Sequence, residues 1–228
     1  MSEWWTYRPS DFLMFAPRTY WRLFELQNEA LWPLQPFLLL AALALLAGVW
    51  CRHLPSLRTG ALGFALAWAW VAWDFLAQRY APINWAATHI AWGFALMAIA
   101  LFMLALRRPE ATRSPVRHRT GLGLMLWAVL VHPLLPTAAG RPWMQAEVIG
   151  LAPDPTAIAT LGLLLCIDAR PRLLAGALRA SAMAWLLASA ATLATMGAAQ
   201  AVAPLAAVFI AGLALCVSAR AARTTYPA

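Results

Sequence analysis

Long apolar runs, separated by short gaps that hold arginines, constrain this chain more than any other feature in it. Seven such runs can be drawn, at residues 31–50, 60–77, 85–106, 121–137, 148–167, 180–199 and 201–218. Most approach the roughly 20 residues that a helix needs to cross about 30 Å of hydrocarbon. The chain is 63% hydrophobic and 11% charged, whereas an average soluble domain is about 25% charged. A water-soluble fold of 228 residues has too little interior to hide so much apolar surface. A bilayer removes that requirement. The expected fold is therefore an all-α integral membrane protein: a bundle of about seven transmembrane helices with an N-terminal amphipathic interfacial helix.

All 17 basic side chains are arginines, and their placement orients the runs. Twelve fall on one side: Arg52, Arg58, Arg107, Arg108, Arg113, Arg117, Arg119, Arg170, Arg172, Arg179, Arg220 and Arg223. Arg8, Arg18, Arg22, Arg79 and Arg141 fall on the other. The excess of positive charge on cytoplasmic loops puts the first group inside. The N-terminus is then outside and the C-terminus cytoplasmic, in a bacterial inner membrane. A six-span version with one re-entrant segment is the topological rival. The net charge of +8 would suggest nucleic acid in a soluble protein. Here the arginines lie in separate short loops, where they fix topology and meet lipid phosphates, so no nucleic-acid partner is expected.

Residues 1–30 form a segment distinct from the bundle of residues 31–228. Ser10 or Asp11 can open a helix, and Pro17 suits its first turn. Arg18, Arg22, Glu25 and Glu29 share one helical face, while Tyr20, Leu23, Phe24 and Leu31 occupy another. Such a helix suits the membrane interface; the alternative is a helix packed on the rest of the fold. The first apolar run starts only near Leu31, so no cleavable signal peptide is expected. Cys51, Cys166 and Cys216 form no CxxC pair and read as reduced, small apolar residues.

The fifth run is irregular. Pro153 and Pro155 interrupt it, and Asp154 or Thr156 can cap a half-helix over 156–167. Broken helices of this kind build binding sites in transporters; the alternative is a plain loop followed by a short span. The last two runs are rich in small residues, among them Ala184, Ala188, Ala206 and Gly212, which allow close helix packing.

Three ionisable residues fall inside the uninterrupted runs: Asp74, His89 and His132. In the orientation above they share one depth, toward the outer side. Charge within a membrane is costly, so such groups usually face the bundle interior or a wet cavity. They read as a binding or proton-relay set, with Asn84, Thr137, Glu147 and Asp154 near its mouth and Trp70, Trp73 and Trp92 as candidate aromatic walls. The plainer alternative pairs Asp74 with Arg79 and gives each histidine a backbone carbonyl. Two histidines on neighbouring helices can also ligate a haem or metal. No HxxxH or ExxH pairing accompanies His89 and His132, so no cofactor is expected. GxSxG, Walker, GxGxxG and HExxH signatures are absent, which argues against a known enzyme class.

The stretches FELQNEALWPLQ (24–35), INWAATHIAWG (83–93) and PDPTAIATLGLLL (153–165) resemble, in order and spacing, an uncharacterised family of multi-pass bacterial inner-membrane proteins, of the domain of unknown function 6064 type. Relatives carry the loose label "MFS transporter permease", although a true major facilitator has about twice as many spans. This chain departs from the family at INWAA, where relatives have proline after asparagine. It also has His132-Pro133 in place of Tyr-Pro, which takes His132 out of any shared functional set. The resemblance implies a membrane fold and transfers no catalytic residue. Three functional classes follow: a small-solute or ion permease-like protein with an outward-facing polar pocket; a non-catalytic membrane subunit or assembly partner of a larger complex, with a membrane-protein partner or as a homo-oligomer; and a haem- or metal-binding redox protein.

Overall fold

The computed structural model describes residues 13–107, 109–169 and 171–225, with side chains described through residue 221. Expectations placed on Arg8, Ser10, Asp11, Arg108 and Arg170, and on the Arg223 side chain, lie outside the described residues. The chain is helical almost throughout. Its helices are α1 (Pro17–Ala30), α2 (Leu34–Trp50), α3 (Leu54–Tyr80), α4 (Ala86–Leu106), α5 (Pro115–Ala138), α6 (Pro153–Cys166), α7 (Arg172–Thr195) and α8 (Val202–Thr225). Proline marks several starts. Pro17, Pro55, Pro115 and Pro153 sit in first turns, where a missing N–H leaves no hydrogen bond unmade and the fixed φ is already helical. Ser114 completes the start of α5 by accepting from the Arg117 N–H at 3.3 Å.

Among the described residues, five helices are long and apolar enough to cross a membrane: α3, α4, α5, α7 and α8; the count is six if α1 and α2, bent by 91° at their junction, form one broken span. The seven apolar runs all become helical, yet two fall short of that length. α2 has 17 residues. α6 has 14 residues, or about 21 Å at 1.5 Å per residue, against about 30 Å of hydrocarbon. All 14 residues of α6 are buried, because α3, α5, α7 and α8 surround it. Its prolines do not interrupt a helix, as their position in the sequence suggests; they initiate one at Pro153. Residues 148–152 form turns ahead of it instead of the first part of a span.

α5 and α6 cross with their backbones in close contact. A Cβ built on Gly121 would meet the Gly162 carbonyl oxygen at 2.4 Å, and one built on Gly162 would meet the Gly121 carbonyl oxygen at 2.6 Å. Only two glycines let these backbones touch.

One end of the bundle gathers the arginines. A two-residue ladder pairs β1 (Glu110–Ala111) antiparallel to β2 (Ile167–Asp168), joining the α4–α5 turn to the end of α6. Arg179 donates to the Leu164 carbonyl from Nε at 3.1 Å and Nη2 at 2.9 Å, and to the Ile167 carbonyl at 3.1 Å. Arg117 donates to Ile167 O and to Asp168 Oδ1, each at 2.6 Å. Arg52 Nη1 donates to Thr112 O at 2.9 Å. Cationic side chains thus satisfy the open carbonyls at the C-terminal, negative end of α6. Burial tends to raise the Asp168 carboxyl, but the hydrogen bond and charge of Arg117 outweigh it and hold it below its ordinary value.

α1 lies across the opposite end. Tyr20, Trp21, Leu23, Phe24, Gln27 and Asn28 form its buried face, while Arg18, Arg22 and Glu29 are exposed. An aromatic stack seats it: Phe24 lies 4.8 Å from Phe75, and Tyr20 lies 5.7 Å from Tyr80, centroid to centroid.

Candidate functional site

Two spans depart from α-helical geometry where they carry ionisable residues. α3 becomes π-helical over Val71–Tyr80, which contains Asp74. α5 is π-helical over Trp127–Val131 and then 3-10 over His132–Leu134. Pro133 and Pro136 offer no N–H to the helical ladder, so the hydrogen-bond pattern there must shift. Interruptions of this kind are frequent at functional sites.

The most enclosed carboxylate among the described residues is Asp154, only 1% exposed, in the first turn of α6. Trp185 Nε1 donates to its Oδ1 at 2.9 Å, and Ser189 Oγ donates to its Oδ2 at 2.5 Å. Both donors come from α7, four residues apart on one face. Glu147 and His132 lie close enough to act on Asp154 through charge. They are 5% and 2% exposed, with His132 Nε2 3.5 Å from Glu147 Oε2. Neither ring nitrogen of His132 makes a hydrogen bond among the described residues. A buried imidazole with two unmet polar atoms is rare in a settled core.

The loop before α6 and the helix across the end close over this group. Gln27 Nε2 donates to Asp74 Oδ2 at 2.8 Å and to Leu151 O at 3.2 Å. Asn28 Nδ2 donates to Met144 O at 2.7 Å and Ala146 O at 2.8 Å. Gly150 N donates to Thr156 Oγ1 at 2.8 Å, and Thr156 Oγ1 donates to Ala152 O at 2.6 Å. Deeper in the bundle, Trp68 Nε1 donates to Thr160 Oγ1 at 2.9 Å. Arg141 lies over the Trp21 ring, 3.5 Å from its centroid, in a cation–π contact. Burial draws its guanidinium below the ordinary arginine value, while the charge of Glu147 pulls it back up.

The residues singled out from sequence divide into those this group gathers and those it does not. His132, Glu147 and Asp154 come together. Asp74 sits one step away through Gln27 and pairs with Arg79, which donates from Nε at 3.1 Å and Nη2 at 3.2 Å. His89 is exposed, edge-on to Trp85 at 5.8 Å. Its helix packs on α3 and α7. Asn84 accepts from the Ala86 N–H at 3.1 Å and lines a separate cavity of about 240 Å³ with Tyr80, Thr192 and Thr195. Thr137 is exposed and donates to Leu134 O at 2.7 Å. Trp70, Trp73 and Trp92 are exposed on the outside of the bundle. The buried indoles belong to Trp21 and Trp68. Gln27, Trp185 and Ser189 were not legible as partners, because nothing in their local sequence marks a bond to a residue far along the chain. Among the described residues, no group of three His, Cys, Asp or Glu is arranged to hold a metal ion.

Residues 18–225 match the family described as Family of unknown function (DUF6064), which covers most of the chain. Neither the curated proteins nor the solved structures give a match.

Proposed function

Because the chain belongs to the DUF6064 family of multi-pass membrane proteins, whose function is unknown, we infer its role from its own buried residues: a permease-like protein that passes a proton or small cation through Asp154, Glu147 and His132. The single observation behind this reading is the burial of two carboxylates and an incompletely hydrogen-bonded imidazole beside a short helix enclosed by spans. Ionisable groups at membrane depth carry a high desolvation cost, and they usually mark ion or proton routes. A short enclosed helix with polar groups at its start is also how transporters hold charged cargo near the midplane. Asp74 contributes by position: paired with Arg79, it holds Gln27 against the Leu151 carbonyl.

The test is proton flux into vesicles under an imposed potassium diffusion potential. Wild-type protein is expected to pass protons above the leak of empty vesicles, and Asp154→Asn and Glu147→Gln to return flux to that leak. Both variants must elute as folded protein first. Flux unchanged in both variants overturns the reading.

In this reading α2 and the enclosed α6 complete a seven-segment bundle, α1 lies in the outer interface, and the arginine-rich end faces the cytoplasm of a bacterial inner membrane. Cys51 is exposed at that end. In a Cys216→Ser background, a membrane-impermeant maleimide should leave Cys51 unlabelled in intact cells and label it after permeabilisation. Full labelling of intact cells would invert the orientation.

A further inference from the structure

The cavity of about 240 Å³ that Asn84 lines sits between the last residue of α3, Tyr80, and the last turn of α7. Leu13, Met14 and Phe15 close one side of it. Its polar lining is Tyr80, Asn84, Thr192 and Thr195. A water molecule fills about 30 Å³ of liquid, so the space holds several.

The direction of the hydroxyl protons decides which charge this lining suits. Thr192 Oγ1 donates to Ala188 O at 2.9 Å, and Thr195 Oγ1 donates to Thr192 O at 2.7 Å. A hydroxyl has one proton, so both oxygens have only lone pairs left to offer. Asn84 Oδ1 accepts from the Ala86 N–H at 3.1 Å and keeps a second lone pair. The donors facing the space are the Asn84 amide and the Tyr80 hydroxyl, and among the described residues no charged side chain lines it. Uncharged oxygen acceptors stand in for the hydration shell of a cation. An anion would find no positive charge here.

Two links join this cavity to the acidic group. The first runs along α7. Trp185, Ser189 and Thr192 are spaced by four and three residues, so the helix face that donates to Asp154 continues into the cavity wall. Ser189 gives its proton to Asp154 Oδ2, which leaves its oxygen a further acceptor. The second link is Tyr80. Its ring lines the cavity and packs on Tyr20 at 5.7 Å and Phe75 at 6.1 Å. It also lies close enough to Asp154 to feel the charge of the carboxylate.

We propose that this cavity is the antechamber of the acidic group: a small monovalent cation, hydronium included, enters it with part of its water, is held by the Thr192, Thr195 and Asn84 oxygens, and passes Tyr80 to reach Asp154. The proposal rests on the flux reading above and adds the point of entry, the sign of the ion and the residues that select it.

Ala191 lines the cavity without a polar side chain, so Ala191→Cys places a thiol there and removes no oxygen. Ala199→Cys is the reference, since Ala199 is exposed and lies outside the cavity lining. Both are made in a Cys51→Ser, Cys216→Ser background. Each thiol is treated with two methanethiosulfonates of similar size, one cationic and one anionic, and the adducts are followed by mass. The cationic-to-anionic rate ratio at Ala191→Cys should exceed that at Ala199→Cys by about tenfold, the lower end of what a cleft of one sign achieves. Adding Thr192→Val and Thr195→Val should abolish that excess. Complete modification of Ala191→Cys before reconstitution should reduce proton flux to the leak of empty vesicles, while modification of Ala199→Cys should not. Equal ratios at the two positions, an excess that survives both valines, or flux that survives complete modification of Ala191→Cys would overturn the proposal and leave the flux reading standing. Absence of flux in the wild type would sink both.

Discussion

Gly162→Ala is expected to destabilise the protein, and Gly162→Leu to prevent the bundle from closing. Helix propensity points the other way: alanine is favoured over glycine by about 1 kcal/mol in a helix interior. At this position a Cβ would meet the Gly121 carbonyl at 2.6 Å and Met125 Cγ at 2.8 Å. A side chain can rotate away from such a contact, but a carbonyl held in a helix cannot. α5 and α6 would have to separate, and α6 has no free side on which to move. Overpacking in a filled core costs about 1–3 kcal/mol, and more where backbone must shift. Gly93→Ala supplies the reference, since its Cβ meets nothing. Thermal unfolding in detergent should rank Gly93→Ala at or above wild type, Gly162→Ala well below it, and Gly162→Leu as unfolded or aggregated. Equal melting of the two alanine variants would mean that the backbones do not touch.

Arg179→Met is expected to cost about 1–3 kcal/mol, because it leaves the buried Leu164 carbonyl without its arginine donors. The Leu164 carbonyl loses both arginine donors, whereas the Ile167 carbonyl retains Arg117. Arg179→Lys should recover only part of the loss, since an ammonium cannot reproduce the planar fork. Melting temperature reports the cost. Hydrogen exchange should show it concentrated in the last turn of α6. Uniform loosening of the whole chain would argue instead for a general effect of the lost charge.

Helix positions were legible because apolar runs and arginines mark spans without any tertiary information. The faces of those helices were not. In a soluble protein the polar side of a helix reveals which side is buried, but here both lipid and core are apolar. Depth along a span is therefore readable, while rotation about its axis is not. His89 and His132 share a depth in the sequence, yet one is exposed and the other enclosed. Trp70, Trp73 and Trp92 are candidate pocket walls in the sequence, though such rings more often serve helix packing or lipid contact, and they are exposed. Asp154 was legible only as a helix cap beside the proline pair and as a residue near the mouth of the site. That Trp185 and Ser189 supply its donors depends on the packing of α7, which has no local signature. Asp74 and Arg79, five residues apart, could be paired from sequence, and they are paired. The proline pair was legible as a break in the run, and of the two readings it is the loop followed by a short helix that forms: at the first turn of a helix proline initiates, and only in the interior does it break.

The complete enclosure of α6 sets an order on how the protein is made. A chain emerging from the ribosome delivers Pro153–Cys166 before Arg172–Thr225 exists. During that interval the Asp154 carboxylate has neither Trp185 nor Ser189, and the terminal carbonyls of the helix lack Arg179. The segment is too short to settle alone across a bilayer. It must wait beside its earlier neighbours, or within the insertion machinery, until the last two helices arrive to close around it.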